Sequence, residues 1–263
     1  MWLPNKRSPV KMTQMSIAAV LVNHNTSAFA ELAVRSLFVQ NPGLDLQLTV
    51  YDNGSTDDRA GLLAAADDHG VRVVPSGFST STPGNSHGEV LRSFVLDPGN
   101  EEADQFLFLD ADICFTRPGT IARLLALLSE HSEVFGAGPR MSWDGETPLP
   151  AEVTNNPALY LNRLHPCCAL ISNTPVFRSV VEHVGLSCAR MLYATHDDFL
   201  DTFELMTRVM RTHALRHVIA DDTMIMHAFA VSYPDESSAM LAEKEKRRDH
   251  WLAVMRDRDC STG

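Results

Sequence analysis

Between residues 17 and 109 four short apolar-rich runs are separated by three longer segments of helical period, and this alternation restricts the fold more than any other feature. The runs cover residues 17–22 (IAAVLV), 47–51, 71–74 and 106–109; the helical segments lie near 28–39, 57–68 and 86–96. Short apolar runs of this kind fit strands buried on both faces. Strands joined through helices form a parallel sheet with helices packed on both sides. Local signals agree, since Ser55 and Asp58 have the S-x-x-D spacing of a capping box and Gly70 stands where a helix must stop. The expected class is α/β: a Rossmann-like, mixed but mostly parallel sheet in a single compact domain.

Pro118 opens a further helix, with Ile121, Leu124, Leu125 and Leu128 on one face. From residue 139 the period is lost. Pro139, Pro148, Pro150, Pro157, Pro166 and Pro175 fall in this region, together with the polar stretch SWDGETPLPAEVTNNP, and it reads as a variable recognition region. Order is expected to return as a helix over about 199–213, strands near 217–220 and 224–227, and a charged helix near 236–257. The EKEKRRD centre of that last helix reads as a solvated face, while Trp251, Leu252 and Met255 pack it on the body. The resulting organisation is a loose arm (1–15), a first half (16–140), a second half (141–235) and a C-terminal helix and tail (236–263).

The 263 residues, 44% hydrophobic, are enough for a substantial core. With 33 acidic and 22 basic side chains the formal charge is −11, which repels a polyanion and excludes nucleic acid as a partner. The five cysteines, Cys114, Cys167, Cys168, Cys188 and Cys260, show no C-x-x-C spacing, so neither a disulfide framework nor a local zinc motif is expected. The run 17–22 is too short for a signal-peptide core or a membrane span. The expected setting is the cytoplasm, with no transmembrane segment.

The stretch FLFLDADICF, residues 106–115, runs into Asp110 and Asp112 and then turns apolar again. Ligands of open α/β sheets bind beyond the carboxyl ends of the strands. Three acidic loops are expected at such ends: YDNGSTDD with Asp52, the D-A-D pair, and HDDFLD at 196–201. The first fits a turn with a helix cap as well as a binding loop. The D-A-D pair is more demanding. Two carboxylates at the end of a buried strand repel each other unless a cation neutralises them, and Mg2+ or Mn2+ prefers such oxygen ligands. The structural alternative is a pair of turn or helix caps.

AAVLVNHNTSAFAELAVRSL, VYDNGSTDD and FLFLDADICF, in this order and each carrying an expected strand, resemble the nucleotide-sugar-binding half of family 2 glycosyltransferases, which have the GT-A fold. The resemblance covers residues 16–140 well and the remainder loosely. It implies a metal-dependent inverting hexosyltransferase that moves a sugar from a nucleotide-diphosphate sugar, with a UDP-sugar the first choice, to a hydroxyl of a small-molecule or glycan acceptor. Carried over position by position, Asp52 binds the nucleobase, and Asn23 and Asn25 lie near the nucleoside or serve as turn residues. Asp110 faces the ribose or donor sugar beside the metal, and Asp112 is the direct ligand of Mn2+ or Mg2+. Arg92 either contacts the nucleotide or is a surface residue of its helix.

Inversion needs a carboxylate that takes the proton from the attacking hydroxyl. In HDDFLDTFEL, Asp197, Asp201 and Glu204 would share one helix face, with Asp198 three residues before Asp201. The same cluster also suits a helix N-terminus. The Asp201-Thr202 pair resembles the base position of a subset of these enzymes, although the family's usual Glu-Asp pair is absent, so Asp201 and Asp198 are both candidates. His227 closes the run MIMH where many such transferases place a metal-binding histidine; a satisfied histidine at a strand end is the other reading. A retaining glycosyltransferase or a sugar nucleotidyltransferase is the alternative among enzymes. A non-catalytic nucleotide-sugar or carbohydrate-binding module is the alternative of another class.

Overall fold

The computed structural model describes residues 15–78, 86–192, 197–229, 231 and 238–262. The expected arm, apart from Met15, and His196 of the third acidic loop lie outside them. The four expected strands all form: β1 (Ser16–Asn23), β2 (Asp45–Asp52), β3 (Arg72–Pro75) and β4 (Gln105–Asp110) lie parallel in the order β3-β2-β1-β4. The crossovers are α1 (Ser27–Gln40), α2 (Ala60–Asp68) and α3 (Ser86–Leu96). Every residue from 17 to 22 is buried. Ile17, Ala19 and Leu21 pack on the α1 side with Ala30, Ala33 and Leu37, while Ala18, Val20 and Val22 meet Val90, Leu91 and Phe94 of α3. Burial on both faces is why this strand shows no polar alternation.

The second half completes the same sheet. It contributes β5 (Ile113–Cys114), α4 (Thr120–Glu130), β6 (Val134–Ser142), the single turns α5 (Ala151–Thr154) and α6 (Pro157–Tyr160), β7 (Cys168–Ser172) and α7 (Pro175–Val184). The hairpin β8 (Ala189–Leu192) and β9 (Asp197–Leu200), α8 (Glu204–Thr212), β10 (Arg216–His227) and α9 (Ser238–Thr262) follow. The full order is β3-β2-β1-β4-β7-β6-β10-β5, with β7 antiparallel to both β4 and β6 and β10 parallel to β6. No helix among the described residues is long and apolar enough to cross a membrane.

Several local expectations are corrected. Strands β6 and β7 lie at least partly in the region where the period is lost. A Cβ at Gly136 would come within 2.7 Å of Leu164 and one at Gly138 within 3.0 Å of the Cys168 carbonyl, so the loop before β7 presses directly on β6. The glycines that permit this contact also weaken the strand signal. The helix expected from 199 begins only at Glu204. Residues 197–200 pair with β8 instead, so Asp197, Asp201 and Glu204 do not share a helix face. The capping box at Ser55 does not form: Ser55 Oγ accepts from Asn23 and Asn25, and Asp58 caps α2 through the Ala60 N–H at 2.9 Å.

The EKEKRRD segment of α9 is not simply solvated. Arg248 lies 5.0 Å over the Phe29 ring, and Lys244 donates to the Phe229 carbonyl at 2.6 Å. Leu252 and Met255 pack with Leu32, Cys114 and Met226. The buried Glu31 of α1 accepts from Arg35 at 3.0 Å and from Arg256 of α9 at 2.7 Å. Together these contacts seat α9 against α1 and β5.

Under the other face, Phe94, Phe106, Phe108, Phe177 and Phe203 form a buried aromatic cluster, with Phe108 and Phe203 rings 5.0 Å apart and edge-to-face. Phe203 has φ of 70°, a left-handed conformation that costs about 1–2 kcal/mol and that its burial offsets. This residue anchors the 198–202 segment to β4. Replacing Phe108 with Ala is expected to lower stability by about 3–5 kcal/mol, read as a drop in urea midpoint with an unchanged slope; a loss below about 1 kcal/mol would show that the cluster is not the keystone of this layer.

Candidate functional site

Parallel pairing decides which side chains meet. β1 pairs with β2 so that Asn23 faces Asp52, and with β4 so that Val22 faces Asp110. Neighbouring strands lie about 4.8 Å apart, so Asp52, Asn23 and Asp110 end side by side on one sheet edge. β10 delivers His227 to the same place: it pairs opposite Ile113 of β5, and the Ala228 N–H donates to the Asp112 carbonyl at 2.9 Å.

Asp110, Asp112 and His227 each bring one ligating atom within 4.8 Å of the others. His227 Nε2 is 3.2 Å from Asp112 Oδ1 and 3.8 Å from Asp110 Oδ2. Two ionised carboxylates at such a separation repel by at least about 3 kcal/mol at an effective dielectric constant of about 20. The titration of the group reflects that stress. Burial raises the Asp110 carboxyl above the usual carboxylate range, relieved only in part by His87 and His227. Burial also opposes ionisation of Asp112, but the charge and hydrogen bond of His227 outweigh it and leave its pKa lowered. Burial disfavours charge on His227 too, yet Asp112 and Asp110 raise its pKa overall. Without metal, the His227 proton supplies positive charge where a cation would sit. Two carboxylate oxygens and one imidazole nitrogen in a buried, electrostatically strained cluster fit a divalent cation, and the imidazole suits Mn2+ better than Mg2+.

Four further groups surround the triad that sequence reasoning did not select. His87 Nε2, in the first turn of α3, is 3.6 Å from Asp110 Oδ1. The backbone approaches closely here, since a Cβ at the next residue, Gly88, would lie 2.3 Å from Ser187 Cα. Arg163 is buried; it donates to the carbonyls of Ala158 and Thr202 at 3.1 and 2.9 Å, and its charge favours ionised Asp110. His165 has its pKa held well below the usual value, first by burial and then by the nearby Arg163 and His227. Lys244 of α9 lowers the pKa of both Asp112 and His227. No local motif marks any of these residues, because each reaches the triad from a distant segment of ordinary composition.

At the loops after β1 and β2, Asn23 Nδ2 donates to Ser27 Oγ at 2.9 Å, Ser55 Oγ at 3.0 Å and Asp52 Oδ1 at 3.3 Å. Asn25 sits at φ 53° and its Oδ1 accepts the Thr56 N–H at 2.7 Å. Both asparagines thus tie the loop after β1 to the loop after β2. Asp52 Oδ2 takes Arg59 at 2.8 Å. Arg92 is held away from the triad, donating to the carbonyls of Val181 and Glu182 at the last turn of α7. Asp201 Oδ2 pairs with Arg163 at 2.7 Å and its Oδ1 accepts the Thr202 N–H at 2.7 Å. Asp198 lies on β9, on the same face as the buried Leu200, whereas Phe199 between them is exposed.

The sequence matches no protein-family model, and it matches no curated protein. Among solved structures, the chain is similar to the mannosyltransferase PcManGT from Pyrobaculum calidifontis, described in complex with GDP-Man and Mn2+. The TM-score is 0.58 and the identity 12%, over 98% of this chain and 77% of that one. It is similar to TarS 1–349 from S. aureus, with a TM-score of 0.55 and 13% identity over 89% and 71% of the two chains. It is also similar to glucosyl-3-phosphoglycerate synthase from Mycobacterium tuberculosis, described with Mn2+, UDP and glucosyl-3-phosphoglycerate, with a TM-score of 0.51 and 20% identity over 92% and 80%. The fold is therefore the GT-A fold of glycosyltransferases.

The raised pKa of His227 has a definite sign. In the metal-free protein its charged form stabilises the fold fully below the unfolded value, about 6.5, and that contribution is lost as pH rises through the folded value. A cation ligated by His227 would have to displace the same proton. Affinity for Mn2+ is accordingly expected to rise by about tenfold or more per pH unit below the folded His227 pKa and to level off above it, measured by calorimetry or Mn2+ spin resonance. A pH-independent affinity would rule out ligation by His227.

Proposed function

We propose that this protein is a metal-dependent inverting glycosyltransferase of family 2. It moves a hexose from a nucleotide-diphosphate sugar, a UDP-sugar being the first choice, to a hydroxyl of a small-molecule or glycan acceptor. The observation that carries this reading is the convergence of Asp110, Asp112 and His227 at the edge where β1, β2 and β4 end. Likeness to proteins described with GDP-Man and Mn2+, and with Mn2+ and UDP, supports it.

A bound divalent cation would neutralise charge on a departing diphosphate. Asp110, Asp112 and His227 hold it, and Lys244 adds positive charge on the same side. Asp52, with Asn23 and Asn25 bracing its loop, receives the nucleobase. Arg59, whose side chain is 42% exposed, can swing to solvent to admit it. Residues 16–140 carry the donor and 141–235 the acceptor and base, while α9, in the C-terminal segment 236–263, packs behind the ends of β5 and β10. In the transfer, the acceptor oxygen bonds to the anomeric carbon as the bond from that carbon to the diphosphate oxygen breaks. The hydroxyl proton passes to a carboxylate of the 198–201 segment. Asp198 and Asp201 are the two candidates, and Asp198 is tested first; Asp201 pairs with Arg163, whose charge favours ionised Asp110.

A thermal-shift panel of UDP, GDP and dTDP, with and without Mn2+, tests the site: one diphosphate is expected to raise the melting point only with Mn2+, and Asp112→Asn to abolish that shift. If none of them shifts the protein in Mn2+, the reading is lost. Asp198→Asn is expected to cut transfer by about 10²–10⁴-fold while keeping the diphosphate shift. Full transfer by this variant would return the base role to Asp201. Product with retained anomeric configuration would identify a retaining enzyme, and release of inorganic pyrophosphate a nucleotidyltransferase.

A further inference from the structure

Beside the carboxylate triad lies a second group of donors that shares only His227 with it. His165, Cys167 and His227 each bring one ligating atom within 4.8 Å of the others. Met141 Sδ stands 3.3 Å from Cys167 Sγ and 3.4 Å from His227 Nδ1. Three elements supply them: the end of β6 gives Met141, the turn before β7 gives His165 and Cys167, and the end of β10 gives His227. Met141, Cys167 and His227 are buried, and the His165 and His227 rings meet edge-on with centroids 5.5 Å apart. The two groups share a wall, since the Cys167 carbonyl accepts the Asp110 N–H at 3.2 Å. They also share His227, which turns Nε2 to the carboxylates and Nδ1 to Met141 Sδ.

We propose that His165, Cys167 and His227, with Met141 as a weaker fourth donor, form a second cation site for a thiophilic divalent ion such as Zn2+ or Cd2+, and that its occupancy competes with the carboxylate site for His227. One thiolate, formed as the Cys167 thiol gives up its proton to solvent on binding, and two imidazoles are borderline-soft donors of the kind that select these ions over Mg2+ or Mn2+. Tetrahedral bonds of about 2.0–2.3 Å place donors about 3.3–3.8 Å apart. The separations of Met141 from Cys167 and His227 already match that spacing, and those among His165, Cys167 and His227, all within 4.8 Å, need to close by at most about 1.5 Å. The His165 Nδ1 lone pair, which now accepts the Cys167 N–H at 3.2 Å, would turn onto the ion. Competition follows from imidazole chemistry: a neutral ring has one nitrogen lone pair to offer and keeps its proton on the other nitrogen. Binding through Nδ1 therefore withdraws Nε2 from Asp110 and Asp112, and two adjacent dications repel. Only the competition rests on the triad being the Mn2+ site; the thiophilic site stands without it.

The full chain, freed of metal, is titrated with Cd2+ while the thiolate-to-cadmium charge-transfer band is followed, and bound Mn2+ is followed by spin resonance. The wild type is expected to show the band at one equivalent, and that equivalent to weaken Mn2+ binding at least about tenfold. Cys167→Ser is expected to lose the band, and Cys168→Ser, which alters the adjacent thiol, to keep it. Asp112→Asn is expected to keep the band while losing Mn2+. Absence of a band in the wild type, its survival in Cys167→Ser, or its loss in Asp112→Asn would each overturn the thiophilic site. A band with undiminished Mn2+ binding would overturn the competition. A band without any Mn2+ or diphosphate binding would sink the glycosyltransferase reading and leave this site intact. Should Cys167→Ser fail to fold, His165→Ala is expected to weaken Cd2+ binding at least about tenfold, and X-ray absorption of the wild-type complex to show sulfur in the cadmium shell; both results contrary would reject the site.

Discussion

Negative charge at the end of a buried strand is the constraint around which this protein is arranged. Asp110 and Asp112 stand where an apolar strand leaves the sheet, and neither can ionise without positive charge nearby. The compensation comes from four separate elements: His227 from β10, His87 from α3, Arg163 from the loop before β7 and Lys244 from α9. Arg163 and Lys244 are themselves held by backbone carbonyls, so the cations are positioned by the fold. The sheet's second half and the C-terminal helix thereby become parts of the site that the first half begins.

His227 concentrates this dependence in one ring. Its two nitrogens face donors of opposite character, hard carboxylates on one side and the soft Met141 sulfur on the other. The strand that carries it must therefore be placed accurately. Its pairing with β6 over most of its length and with the short β5 at its end fixes that position, and α9 backs the same edge through Met226 and Cys114.

The first half of the fold was legible because β1 and β4 are buried on both faces and read as continuous apolar runs, with segments between the strands long enough for crossover helices. The D-A-D pair was legible for the same reason: an apolar run that ends in two carboxylates is locally anomalous. The second half was less legible. Strand β6 holds Gly136 and Gly138, which yield to the loop above them, and β7 is a short antiparallel insertion between β4 and β6. Residues 197–200 form a strand only because β8 lies beside them. The acidic run there fits a helix start when only local charge and spacing are considered.

What the sequence by itself determined is the parallel α/β frame, the strand ends bearing Asp52 and Asp110, and the need of Asp110 and Asp112 for nearby positive charge, because burial, period and like-charge repulsion are properties of contiguous residues. Only the tertiary structure decided which groups answer that demand. His87, Arg163 and Lys244 belong to segments that look ordinary alone, and the spacing of the cysteines gave no hint that Cys167 would stand between Met141 and two histidines. Pairing of β4 with β7, β6 with β7, and β6 with β10 brings Met141, Cys167 and His227 to Asp110, while α3 and α9 carry His87 and Lys244 to the same end of the sheet. Such long-range register is set by the packing of the whole sheet, and no local run of side chains encodes it.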